Sequence, residues 1–190
     1  MFGKIGKDWH DAWWTKPAAA DHAVSGPKLR NLKLDSIDRR ILKELQANGR
    51  ISFTELAPKV GLTTSPCLER VRRLERAGVI KGYAATLDPR ALDAGMLVFV
   101  ELSLTYTTPE IFAEFKRAIA RLPEILECHL VSGDFDYLIK MRVPDMNAYR
   151  SLLGQLLVHL PGVRNSKTLV VMEEVKETTR IPIADGRRGA

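Results

Sequence analysis

The sequence predicts an α+β fold in two unlike parts. Three short helices fill about residues 34–78, and an alternation of strands and helices in the order βαββαβ follows. Three observations carry this. Capping residues recur at short intervals in the first part, and strand-like and helix-like apolar periods alternate in the second. Positive charge is confined to the first: Lys and Arg outnumber Asp and Glu by thirteen to seven over residues 28–89, against eleven to twelve over 90–181. Nearly all of the net charge of +6 therefore sits in one segment of about sixty residues, which suits a polyanionic partner.

The elements follow in order. Residues 1–33, with Trp9, Trp13 and Trp14 between breakers, show no period and are expected to be a flexible extension. Asp35 can cap a first helix with Ile37, Ile41, Leu42 and Leu45 on one face, ended by Asn48-Gly49. Ser52-Phe53-Thr54-Glu55 is a capping box that opens a second helix, and Gly61 supplies its left-handed exit. Thr63, Thr64 and Ser65 are candidate caps for a third, which admits Pro66 in its first turn and stops at Gly78. Helix, glycine turn and helix at this spacing form a helix-turn-helix, with the motif at about residues 53–72.

The third helix is two-faced. Cys67, Leu68, Val71 and Leu74 share one side, while Ser65, Pro66, Glu69, Arg70, Arg72, Arg73 and Arg76 share the other. A charged helix face is ordinarily just solvated. Here it lies on the second helix of a helix-turn-helix inside the basic segment, and contact with double-stranded DNA is the expected role. The arginines are expected on phosphates, with Thr64, Ser65, Pro66 and Glu69 nearer the base edges.

Val79–Tyr83 reads as a short strand and Leu87-Asp88-Pro89 as a turn, completing a unit over residues 34–95. Strands are expected at Met96–Leu104, Ile125–Ser132, Tyr137–Val143 and Val163–Val175. Helices are expected at Pro109–Leu122 and Asp145–Leu160. This is the ferredoxin-like order. Leu122-Pro123-Glu124-Ile125 is echoed by Leu160-Pro161-Gly162-Val163, each copy ending a helix and launching a strand. The resulting domain spans 96–181, and residues 182–190 are expected to form a flexible tail. Its second sheet face calls for cover, so homodimerisation and a higher assembly of dimers are expected.

Catalysis finds no residues to use. The four histidines lie outside any nucleophile motif, and the sequence has no zinc spacing, P-loop or dinucleotide fingerprint. No catalytic residue, metal or cofactor is therefore expected. Cys67 and Cys128 read as small buried residues. No apolar run approaches the roughly 20 residues of a membrane helix. The expected setting is cytoplasmic and nucleoid-associated, with no membrane partner. The remaining polar group is Ser132-Gly133-Asp134-Phe135-Asp136, between two strands. These residues either shape a turn or hold a zwitterion, with Asp134 or Asp136 on an ammonium and amides near Gly133 on a carboxylate.

Several runs resemble the Lrp/AsnC family of leucine-responsive transcriptional regulators: Leu34–Leu42, Gly49–Ser52, Cys67–Glu75, Leu97–Glu101, Glu127–Tyr137 and Arg142–Met146. The resemblance covers about residues 34–181. It implies an N-terminal helix-turn-helix and a C-terminal domain that dimerises, assembles further and binds a small amino acid such as leucine. It also implies effector contacts at Gly133, Asp134 and Asp136. The expected protein is a sequence-specific regulator of amino-acid metabolism genes. The alternative is an architectural, DNA-bending nucleoid protein with no ligand switch.

Overall fold

Helix α1 (Ser36–Ala47) begins at a reciprocal cap: the Asp35 carboxylate accepts from the Asp38 amide at 2.8 Å, and Asp38 accepts from the Asp35 amide at 3.2 Å. The computed structural model describes residues 32–106, 108–160 and 162–184. Nearly all of the expected N-terminal extension, Pro161 of the repeated helix exit and residues 185–190 lie outside them. Helix α2 (Phe53–Val60) repeats the capping box with Ser52 and Glu55, and the Ser52 hydroxyl on the Glu55 carboxylate lowers its pKa. Gly61 ends α2 at φ 74°, a left-handed backbone open to glycine without steric cost. Helix α3 (Thr64–Arg76) follows, and the Thr63 side chain makes no cap bond to it.

Ile41, Leu56, Val60, Cys67, Val71 and Leu74 are fully buried between the three helices. Each large side chain so placed contributes roughly 1.5–3 kcal/mol. The strand expected at Val79–Tyr83 does not form. An isolated strand leaves its backbone groups unpaired, and no strand partner lies beside it among the described residues. Instead the Val79 and Ile80 amides donate to the Leu74 carbonyl at 3.0 and 3.2 Å, both side chains join the helical core, and the Tyr83 hydroxyl donates to Glu75 at 3.1 Å. The turn at Asp88 continues into a short 3-10 helix, Pro89–Leu92.

The chain divides into two compact units. Residues 86–178 form the second, with β1 (Met96–Leu104), α4 (Pro109–Ile119), β2 (Ile125–Leu130), β3 (Tyr137–Val143), α5 (Met146–His159) and β4 (Val163–Val170). The sheet is antiparallel in the order β2-β3-β1-β4, which is the ferredoxin-like arrangement expected. Strand β1 is paired on both sides. On one face Val98, Val100 and Leu102 pack with Ile139, Met141, Phe115 from α4 and Leu156 from α5. Tyr137 stacks on Phe115 with ring centroids 4.1 Å apart.

Several elements end earlier than expected. Helix α4 stops at Ile119 rather than Leu122, and β2 at Leu130 rather than Ser132. Strand β4 stops at Val170 rather than Val175 because its partner runs out: Val98 faces Val170, and the Val171 amide donates to the Leu97 carbonyl at 3.0 Å, one residue from the start of β1. The second sheet face is also more charged than its apolar spacing implied. Arg142 on β3 grips Glu174 at 2.5 and 3.1 Å, Lys140 pairs with Glu127 at 3.1 Å, and Lys167 lies 3.5 Å from Glu101.

By their contacts, residues 179–184 group with the helical unit. The Gln46 side chain on α1 donates to the Ile181 carbonyl at 3.0 Å and accepts from its amide at 2.7 Å, and Arg39 donates to the Ala184 carbonyl at 3.5 Å. A side-chain amide offers a donor and an acceptor together, so Gln46 satisfies both backbone groups of one residue, whatever its side chain.

Two outcomes follow. Ser52→Ala removes the α2 cap and should cost about 1 kcal/mol, read as a shift in a urea unfolding midpoint at unchanged slope. Burial pushes the Cys67 thiol up and the Cys128 thiol up to about 11. Alkylation of the native protein by iodoacetamide should accordingly be slow at pH 7 and still be rising above pH 10. An inflection at about 8.5 would mark an ordinary thiol instead.

Candidate nucleic-acid interface and effector loop

The buried side of α3, with Cys67, Val71 and Leu74, fixes which residues face outward. Thr64, Ser65, Pro66, Glu69, Arg72 and Arg76 are exposed, as the helical period requires. Glu69 and Arg72 approach only to 3.9 Å, both largely in solvent. Such a pair is worth little, so the Arg72 guanidinium stays available. No acidic residue occupies the first turn of α3, and its last turn carries Arg73 and Arg76.

Arg70 and Arg73 stand differently. The sequence grouped them with Arg72 and Arg76 as phosphate contacts, but the structure draws both guanidiniums back onto α1. Arg70 Nη1 donates to Asp35 at 2.6 Å and to Asp38 at 2.8 Å, and Arg73 Nη2 donates to Asp38 at 2.5 Å. The Asp38 side chain is 0% exposed, whereas Arg70 and Arg73 are 27% and 42% exposed. A buried carboxylate needs paired cations far more than a half-exposed arginine needs an anion. The Asp35 and Asp38 carboxylates raise the Arg70 pKa by hydrogen bonding. Burial pushes the Asp35 pKa up, but the Asp38 amide and the Arg70 guanidinium outweigh it and leave that carboxyl below its ordinary value.

Neither acid was anticipated as a site residue. A signal existed: Asp38, Ile41, Leu42 and Leu45 are spaced i, i+3, i+4, i+7, which puts Asp38 on the apolar face of α1. An acid in that register requires a cation from a packed neighbour.

The loop between β2 and β3 brings Gly133, Asp134 and Asp136 together at one end of the sheet. The Asp136 carboxylate accepts from the Leu104 amide at 2.7 Å, its own amide donates to the Leu102 carbonyl at 2.9 Å, and its carbonyl accepts from Val131 at 2.9 Å. Asp136 thus ties the hairpin to the end of β1, and its turn-shaping role is real. Gly133 holds φ 147°, outside the comfortable range of any L side chain, with nothing within 4 Å of a Cβ placed there. Asp134 is exposed. The Thr105 amide donates to the Gly162 carbonyl at 2.7 Å, so three chain turns converge at this end.

Similar proteins agree with this two-part reading. Residues 34–81 match the family model for winged helix-turn-helix DNA-binding, and residues 97–181 match that for the Lrp/AsnC ligand binding domain. The leucine-responsive regulatory proteins of Serratia marcescens and Escherichia coli K12 are each 59% identical over 160 residues, covering 84% of this chain and 98% of theirs. Among solved structures, a transcriptional regulator of Neisseria meningitidis in complex with L-methionine is 35% identical, with a TM-score of 0.74 over 79% of this chain and 97% of its own. The leucine response regulatory protein of Mycobacterium tuberculosis is 30% identical, with a TM-score of 0.67 over 80% of this chain and 100% of its own. With its two domains matched in order and such relatives along most of its length, the chain belongs to the Lrp/AsnC family, whose members are DNA-binding transcriptional regulators and not enzymes.

Proposed function

We propose that α3 enters the DNA major groove. Thr64, Ser65, Pro66 and Glu69 then stand at the base edges and Arg72 and Arg76 on phosphates, while Arg70 and Arg73 at the edge of the same side are held by Asp35 and Asp38. The observation carrying this is the exposed, basic outer side of a helix whose inner side is fully buried. Two copies joined through the second face of the sheet would present two such helices about a two-fold axis, and further pairing of dimers would extend the footprint. The basic helical unit and the absence of any helix among the described residues long and apolar enough to cross a membrane suit a cytoplasmic protein on the nucleoid.

The effector in this reading is a small amino acid, leucine first and methionine next, taken at the Gly133, Asp134 and Asp136 loop. Relatives that are leucine-responsive and one that holds L-methionine support the class of ligand. The regulated genes would be those of amino-acid metabolism.

Arg72→Ala with Arg76→Ala should flatten the dependence of log K on log salt by about two units, measured by anisotropy on a labelled duplex. An unchanged slope would remove α3 from the interface. Asp136→Asn keeps an oxygen for the Leu104 amide and loses the charge. It should leave DNA affinity without ligand near wild type while blunting the response to L-leucine and L-methionine. Sedimentation of the protein at micromolar concentration, with and without each amino acid, reads that response together with the assembly itself. A full response in the variant would confine Asp136 to its turn.

A further inference from the structure

Two of the four arginines on the outer side of α3 are held by acids of α1, and this bears on how the protein tells one DNA sequence from another. Non-specific affinity for DNA comes from cations that can reach phosphates of any sequence. Specificity is the ratio of two affinities, and it rises when the weaker one is held down. Arg70 and Arg73 lie beside the exposed Glu69, Arg72 and Arg76, at the half-buried edge of the same side, where an unrestrained guanidinium would add to non-specific binding. Each instead ends on a carboxylate, at 2.5–2.8 Å.

We propose that Asp35 and Asp38 are specificity-determining residues: they sequester Arg70 and Arg73 from phosphate and leave sequence readout to the amino end of α3. This rests on the placement of α3 against DNA. A phosphate competing for Arg73 would have to leave Asp38, at 0% exposure, short of a cation where water cannot replace it. That exchange is unfavourable, so the pair holds as DNA approaches. An apolar residue at position 38 would complete the three-helix core beside Ile41 without any desolvation cost. The particular effect of an acid there is on the two arginines. Arg70 bridges both acids, which also fixes the roll of α3 on α1.

The test uses the full chain and two labelled duplexes: a random-sequence 30-mer, and the tightest binder selected by the wild type from a randomised pool. Affinity is read across a potassium chloride series. Asp38→Asn, nearly isosteric, releases cations. Binding to the random duplex should tighten roughly tenfold per released arginine at 0.1 M salt, with a slope steeper by about one unit each. The ratio of selected to random affinity should fall accordingly. Asp35→Asn leaves both arginines on Asp38 and should keep the wild-type slope, which separates release of the arginines from the loss of one acidic charge.

Arg70→Met with Arg73→Met removes cations that are already neutralised, and should leave the random-duplex slope at its wild-type value. A slope lower by about two in that variant would put both arginines on phosphate and overturn the proposal. So would unchanged random-duplex affinity in folded Asp38→Asn. A role confined to folding moves the melting temperature but not the salt slope. Failure of the α3 placement itself is distinguishable, because only that would leave the slope unchanged in Arg72→Ala with Arg76→Ala.

Discussion

A carboxylate that water cannot reach must be met by cations held in place, and Asp38 meets two on the helix packed across from it. Much of the helical unit's geometry follows from that constraint. Arg70 and Arg73 are three residues apart on one stripe of α3, so a single acid on α1 can hold both only at one rotation of α3 about its axis. That rotation puts Cys67, Val71 and Leu74 inward, and it turns Thr64, Ser65, Glu69, Arg72 and Arg76 outward. Apolar packing alone tolerates sliding between neighbouring registers more readily than a charge-assisted hydrogen bond does. Core and ion cluster agree on one orientation, and the exposed side is consequently well defined.

The second unit rests on a different constraint, the central place of β1. Paired on both edges, it lends its backbone to β3 and β4 over most of its length. Its two ends therefore decide what happens around it. At the start, β1 begins at Met96 and β4 pairs with it only as far as Val170, opposite Val98. At the finish, Leu104 gives its amide to Asp136 and Thr105 gives its amide to Gly162. The glycine-acid loop is thus fixed to the middle strand of the sheet. A ligand bound there would act on a rigid element, the form of support a binding loop needs for its geometry to be reproducible.

Most of this was legible in the sequence where local chemistry decides it. Capping boxes are read from residues three apart, and Asp35 and Ser52 start their helices as expected. The strand order follows from the βαββαβ alternation. What escaped was decided by partners distant in the chain. Arg70 and Arg73 looked identical to Arg72 and Arg76 on a helical wheel. Only the fold brings residues 35 and 38 beside 70 and 73 and separates the four into two kinds. The strand at Val79–Tyr83 had the composition but not the neighbour, and β4 had the apolar alternation but ran past its partner. At the loop between β2 and β3 the sequence offered two roles for Asp136. The structure shows one of them, a hydrogen bond to Leu104 that no local pattern encodes.

The return of the chain to its first unit adds one more consequence. Residues 86–178 form one unit, and residues 179–184 group with the helical unit that precedes it. The outgoing end is held to the three-helix core by Val79, Ile80 and Tyr83. The returning end is held by Gln46 through both backbone groups of Ile181, and it leaves the sheet under the grip of Arg142 on Glu174 and Glu177. Gln46 lies on α1, the helix that carries Asp38, and Asp38 orients α3. Within the helical unit, α1 therefore meets both the returning segment, through Gln46, and α3, through Asp38.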